Sequence, residues 1–271
     1  MADIYVMVNR YAYGMIVRTD FIMKYKNYIF DLYGTLADIE TDEQEMKLWK
    51  KMAKLYACYG AYYKPKKLKK IFFFMDREER KILKDKIGCK YPEIKLEKVF
   101  LRLLKEYPDA RIPENEAVWA EFMANAFRAL SRKYIELFPN TLETLDKLRE
   151  KGCKVYMLSN AQAIFTRPEI KLLELDKHMD KIFISSDYGV MKPDPMFMQC
   201  LIETEKINVT ESVMIGNEIR SDIKVADSCG MDAILLNTGG YNKHEIRKDA
   251  EDYGITREFN VISEIKQLLD E

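Results

Sequence analysis

What this 271-residue chain lacks narrows it first. It has no net charge, because Lys plus Arg and Asp plus Glu both number 44. That removes the electrostatic argument for a nucleic-acid partner or an anionic membrane surface. No run approaches the roughly 20 consecutive apolar residues that a membrane-spanning helix needs. The five cysteines (Cys58, Cys89, Cys153, Cys200 and Cys229) are odd in number and scattered, with no Cys-x-x-Cys. They argue against a disulfide framework or a zinc site and fit reduced thiols in a cytoplasmic protein. Only two histidines occur, His178 and His244, both in charged helical contexts, so neither is given a metal or base role. Internal repeats and low-complexity tracts are absent. Residues 1–23 lack the basic-then-apolar order of a signal peptide. They read as an extension outside the main fold, at most a small hairpin, with Met23 as an alternative start.

What is present is a chain 48% hydrophobic, long enough for one large or two small domains. From about Thr41 to Lys133 the pattern is helical and charged, with few glycines and no clear strand. Leu48, Met52, Leu55 and Tyr56 share one helical face, and Val99, Leu103 and Tyr107 another. Ile71-Phe-Phe-Phe-Met75 reads as core of this segment, and the basic run Lys64 to Lys70 as a solvated face. From Pro139 onward, short apolar runs alternate with amphipathic helices: Val155–Leu158, Ile182–Ile184, Val213–Ile215 and Ala233–Leu236. Asn140 is placed as the N-cap of a helix carrying Leu142, Leu145 and Leu148, and Gly152 as its C′ residue. Unbroken apolar strands separated by helices predict a parallel sheet covered on both faces. Tyr28–Phe30 is a further strand, ending in Asp31 where open α/β sheets place ligands. The expectation is therefore an α/β fold, a Rossmann-like parallel sheet core with a helical cap inserted after the first strand. The core is assigned residues 24–40 and 134–271, and the cap residues 41–133.

Four strand ends carry chemistry. Asp31-Leu-Tyr-Gly-Thr-Leu36 follows the first strand, Leu158-Ser-Asn160 closes the second, Lys192-Pro-Asp-Pro195 follows the third, and Ile215-Gly-Asn-Glu-Ile-Arg-Ser-Asp222 follows the fourth. In this order they resemble the motifs of the haloacid dehalogenase-like hydrolase superfamily, over Tyr28 to Thr238. The resemblance implies Asp31 as a nucleophile forming an aspartyl-phosphate. It makes Ser159 and Lys192 the groups on the phosphoryl oxygens, with Asn160 and Thr35 as further substrate-binding residues. It also implies Mg²⁺ held by Asp31, the Tyr33 carbonyl, Asn217 and Asp222. An anionic nucleophile attacking an anionic ester needs such cations around it. The substrate implied is a small phosphorylated molecule, with no nucleic-acid or membrane partner.

Two residues depart from the phosphatase pattern. Tyr33 stands where a second aspartate, the general acid and base, is expected, and Asn217 replaces the first acid of the fourth motif. Tyr33 enters the catalytic set as a proton donor, a poor base at neutral pH, and Glu218 is a nearby acid. Tyr33 and Asn217 are similar to the L-2-haloacid dehalogenases, which supply one alternative. Those enzymes, however, place an arginine about 30 residues after the nucleophile and a tyrosine six after the lysine. Here no arginine occurs between Asp31 and Asp76, and Met198 takes the second place. A catalytically lapsed binding or regulatory module is the other alternative.

Overall fold

The computed structural model describes residues 23–269. The extension assigned to residues 1–23 thus lies outside the described residues, apart from Met23. The chain runs β1 (Asn27–Phe30), β2 (Ala37–Thr41), α1 (Met46–Ala57), α2 (Pro65–Ile87), α3 (Leu96–Lys105), α4 (Glu116–Ser131) and β3 (Arg132–Leu137). It continues with α5 (Thr141–Glu150), β4 (Lys154–Ser159), α6 (Ala163–Leu172), β5 (Lys181–Ile184), α7 (Ser185–Tyr188) and α8 (Pro195–Glu205). The last elements are β6 (Ser212–Gly216), α9 (Lys224–Ser228), β7 (Asp232–Leu236), α10 (Lys243–Asp252) and β8 (Asn260–Ile262).

Six strands form one parallel sheet in the order β5-β4-β1-β6-β7-β8. The apolar runs named above are its interior, because strands covered on both faces bury every side chain. Tyr28 to Phe30, Val155 to Leu158 and Val213 to Ile215 are all buried. From β1 the chain winds outward first through β4 and β5, then through β6, β7 and β8. The strand order therefore reverses beside β1, the place where such sheets form a crevice at their carboxyl ends. β8 at the edge was not expected. Its short sequence, Asn260-Val-Ile, has only one buried side chain and carries little pattern.

The four helices α1 to α4 bury their own core of Leu48, Trp49, Met52, Phe72, Val99, Phe100, Leu103 and Phe127, joined by Phe165 of α6. Leu48, Met52 and Tyr56 recur every four residues on α1, and each is buried as that spacing requires. Entry and exit are an antiparallel pair, β2 with β3, bonded from Ala37–Leu137 to Thr41–Arg132. The sequence reading had no strand at Arg132; its apolar alternation is confined to Ile135 and Leu137, too short to stand out. Asn140 holds the N-cap place of α5 expected of it, with φ +65° but without the capping bond. Gly152 has φ +84°, as its C′ place demands.

Candidate active site

Strand register brings the four motifs together. Phe30 pairs with both Met157 and Ile215, so Asp31, Ser159 and Gly216 leave the sheet at the same edge. The Asp31 N–H donates to the Ile215 carbonyl at 2.9 Å, fixing the start of the turn. Gly34 takes φ +82° in that turn, and a Cβ there would lie 2.4 Å from Asn217 Nδ2. Gly216 is just as constrained: a Cβ would lie 2.2 Å from Asp222 Oδ2. Gly34 therefore lets the first and fourth motifs approach, and Gly216 lets Asp222 fold back against its own strand.

Lys192 is the electrostatic centre. Its Nζ donates to Asp31 Oδ1 at 2.8 Å and to the Leu158 carbonyl at 2.6 Å, and it lies 2.8 Å from Asp222 Oδ1. Its backbone is clamped by Asn160, which accepts from the Lys192 N–H at 2.8 Å and donates to the Lys192 carbonyl at 2.9 Å. Burial works against the ammonium, but Asp222 and Asp31 outweigh it and raise the lysine's pKa. Asp222 is 1% exposed and sits on the π-helical turn Ile219–Ile223, its Oδ2 accepting the Glu218 N–H at 3.0 Å. Burial lifts its pKa to about 6, against the pull of Lys192.

A cleft of about 180 Å³ opens over this cluster, lined by Asp31, Tyr33, Ser159, Asn160, Lys192, Asn217, Glu218 and Ser221. Ser159 is 1% exposed, and its hydroxyl has no hydrogen-bond partner among the described residues. A buried hydroxyl without a partner is costly, so it marks a place where a ligand oxygen is expected. Glu218 is held by Ser221 Oγ at 2.7 Å and Arg220 Nε at 2.7 Å.

Three of the expected residues behave differently from the rest. The Thr35 hydroxyl donates to Asn217 Oδ1 at 3.2 Å and does not line the cleft. Asp222 also stays behind the cleft wall, paired with Lys192. Tyr33 lines the cleft, yet its hydroxyl bonds to Glu169 Oε2 and, at 3.1 Å, to Thr166 Oγ1. Burial and then Glu169 push its pKa well above the ordinary tyrosine value. The phenol therefore stays protonated at neutral pH.

The surroundings of Tyr33 were missed from sequence. Glu169, 3% exposed on α6, accepts from Arg128 Nε at 2.7 Å, Arg128 Nη2 at 2.9 Å and Arg132 Nη1 at 2.7 Å. The Arg128 guanidinium also lies over the rings of Tyr33 and Phe165, at 5.3 and 4.8 Å. The spacing of Arg128 and Arg132, and of Thr166 and Glu169, puts each pair on one side of its chain. Nothing in a single sequence pairs the two segments. A second cavity of about 340 Å³, walled in part by Phe72, Phe73, Asp76 and Arg80 of α2 and Arg128 of α4, shares Tyr33 and Asn160 with the cleft.

The chemistry of the oxygen donors fits a hard cation. Asp31 Oδ2 has no donor among the described residues, Asn217 offers a carboxamide oxygen and Tyr33 a backbone carbonyl. Mg²⁺ takes few protein ligands and keeps waters and substrate oxygens. Among the described residues no group of three or more His, Cys, Asp or Glu is placed to hold a metal. No described helix is long and apolar enough to cross a membrane.

A fold with these four strand-end motifs is that of a hydrolase family. The family model for haloacid dehalogenase-like hydrolases matches residues 28–236, and the chain belongs to that family. A curated relative, the glyceraldehyde 3-phosphate phosphatase of Pyrococcus furiosus, is 27% identical over 153 residues, covering 56% of this chain and 61% of that protein. The chain thus spans less than two thirds of that relative's length. Two solved structures share the fold at 18% identity. A 2-haloacid dehalogenase from Pseudomonas syringae pv. Tomato has TM-score 0.60, over 91% of this chain and 97% of that one. A HAD phosphatase from Thermococcus onnurineus has TM-score 0.56, over 90% and 96%.

Proposed function

We propose that this protein is a Mg²⁺-dependent phosphatase of small phosphate monoesters, working through an aspartyl-phosphate on Asp31. The observation that carries the reading is the buried Ser159 hydroxyl, without a partner among the described residues, in the wall of a cleft whose floor is the Lys192–Asp31 pair. A carboxylate oxygen of Asp31 attacks phosphorus as the bond to the leaving alcohol oxygen breaks. Water then attacks the phosphorus of the aspartyl-phosphate, releasing inorganic phosphate and restoring Asp31. Lys192 offsets the charge of the nucleophile, and Ser159 donates to a phosphoryl oxygen as charge builds there. Mg²⁺, held by Asp31, Asn217 and the Tyr33 carbonyl, with Asp222 and Thr35 supporting them from behind, supplies further neutralisation of the phosphoryl oxygens.

Tyr33 does not move the proton in this reading, because its hydroxyl is engaged by Glu169. Glu218 is the titratable side chain on the cleft wall that can pass a proton between the leaving oxygen, solvent and the attacking water. The relatives named as phosphatases support the activity. The helical segment serves as the cap that shields the site, and the setting is cytoplasmic. A dehalogenase reading needs a guanidinium free to bind halide and carboxylate. Arg80 and Arg128, the two that line the adjoining cavity, are both engaged by buried carboxylates. The test is phosphate release from a panel of esters in Mg²⁺ and again in EDTA. Turnover that requires metal and disappears in Asp31→Asn is expected. Full activity in Asp31→Asn would refute the mechanism.

A further inference from the structure

The cavity beside the cleft carries information on the other half of the substrate. It shares Tyr33 and Asn160 with the phosphoryl cleft, which sets it beside the phosphoryl site on the side of the helical segment as a space for the alcohol part of an ester. Its walls include the rings of Phe72, Phe73 and Phe165 and five charged residues, Glu43, Asp76, Arg80, Glu93 and Arg128.

Both guanidiniums there are already charge-paired with buried carboxylates. Arg80 bonds to Asp76 at 3.2 Å, to Glu93 at 2.9 Å and to the Pro92 carbonyl at 2.8 Å. Arg128 gives two bonds to Glu169, which also holds Arg132. An anionic group on the substrate would have to displace Glu93 or Glu169. Each is nearly inaccessible to solvent, and a buried carboxylate stripped of its partner is strongly unfavourable.

Glu43 breaks the balance. Around the cavity four carboxylates (Glu43, Asp76, Glu93, Glu169) face three guanidiniums (Arg80, Arg128, Arg132). Among the described residues nothing forms an ion pair or hydrogen bond with the Glu43 carboxylate. Its electrostatic neighbours are the cavity residues Arg128 and Asp76, and burial raises its pKa most. A cation entering here meets an unpaired carboxylate, which attracts it.

Resting on the phosphatase reading, we propose that the cavity selects phosphate monoesters whose alcohol part carries a protonated amine, and that Glu43 is the residue that reads this charge. Esters with a carboxylate in the same place are rejected because the guanidiniums are already occupied.

Three probes of similar size separate the classes: O-phosphoethanolamine, glycerol 3-phosphate and phosphoglycolate. Turnover is measured on the whole chain with Mg²⁺, with p-nitrophenyl phosphate as a general substrate. Binding is measured by calorimetry on the Asp31→Asn chain, which should not turn the esters over. The amine ester is expected to exceed the carboxylate ester by about tenfold or more in both kcat/KM and affinity. In Glu43→Gln the ratio between the two esters falls toward one, and a ratio within one variant cancels any loss of active protein. A flat or reversed order with p-nitrophenyl phosphate turnover intact would overturn the charge selection alone, as would a ratio unchanged in Glu43→Gln. Preserved binding order with no turnover of any ester would support the charge selection and overturn the phosphatase reading. Neither binding nor turnover would overturn both.

Discussion

Ser159 separates function from stability more cleanly than other residues of the cleft. Its hydroxyl is buried and without a partner among the described residues, so removing it costs the fold little or relieves it slightly. Ser159→Ala is expected to leave the thermal midpoint unchanged or raised, while kcat falls about 100-fold, the scale for losing one donor to developing negative charge. Parallel melting and steady-state kinetics check this; a midpoint loss comparable with the activity loss would make the residue structural. Asn217 offers a second residue-scale test. Asn217→Asp restores a negative charge at a proposed metal ligand, so half-maximal activity is expected at about tenfold lower Mg²⁺. Titration of activity against metal reads it directly, and an unchanged requirement would remove Asn217 from the ligand set. At this scale most of the candidate site was legible in the sequence, since each motif follows a strand and brings its own chemical group. The functions of Tyr33 and Thr35 were not legible, because a hydroxyl's partner depends on which distant helix packs beside it.

The element scale is where α4 and α6 meet through Arg128, Glu169 and Arg132. Burial opposes ionisation of Glu169, yet hydrogen bonds from Arg128, Tyr33 and Arg132 win and hold its pKa below the ordinary value of 4.5. A carboxyl with a depressed folded pKa contributes stability that is complete above its unfolded pKa and lost as pH falls through the folded one. Glu169→Gln is therefore expected to be less stable than the parent at pH 7 by about 3 kcal/mol, the scale for removing one partner of a buried pair. The difference should shrink as pH falls below 4.5. Urea unfolding at pH 7 and pH 3.5 tests this, and a pH-independent difference would contradict it. The helices themselves were readable from their four-residue apolar spacing. Their junction was not, because Arg128 and Glu169 lie 41 residues apart in the chain and are both ordinary surface types by composition. β2 and β3 escaped for a related reason: their pairing is antiparallel and largely solvent-facing, and the apolar alternation of each is only two residues long, Ala37 and Ile39 or Ile135 and Leu137.

At the scale of the molecule, the helical segment is attached at more places than its two connecting strands. The loop between α2 and α3 pairs with the segment that leads into Lys192. Glu93 N–H donates to the Gly189 carbonyl and Met191 N–H to the Tyr91 carbonyl, each at 3.0 Å. Asp194 Oδ2 accepts the Lys90 N–H at 2.9 Å. Gln162 then donates to Glu93 and to the Ile94 carbonyl, at 2.8 and 2.9 Å, and accepts the Leu96 N–H at 2.9 Å. For the helical segment to swing away, this set must break together with the buried Arg128–Glu169 pair, so wide opening carries a large free-energy cost. Small esters would then reach Asp31 through the cleft mouth near Tyr91, Arg220 and Tyr253, where a cavity of about 400 Å³ adjoins Lys192. The amides of Glu93 and Met191 are accordingly expected to exchange hydrogen at rates within about tenfold of the central sheet amides, since local opening energies track the contacts that must break. Loop-like exchange at these two amides, with β1 and β6 still protected, would instead show a cap that opens independently of the core. Substrate size gives the same answer by another route. An attached cap admits p-nitrophenyl phosphate and excludes a phosphopeptide, whereas a freely opening one would accept both.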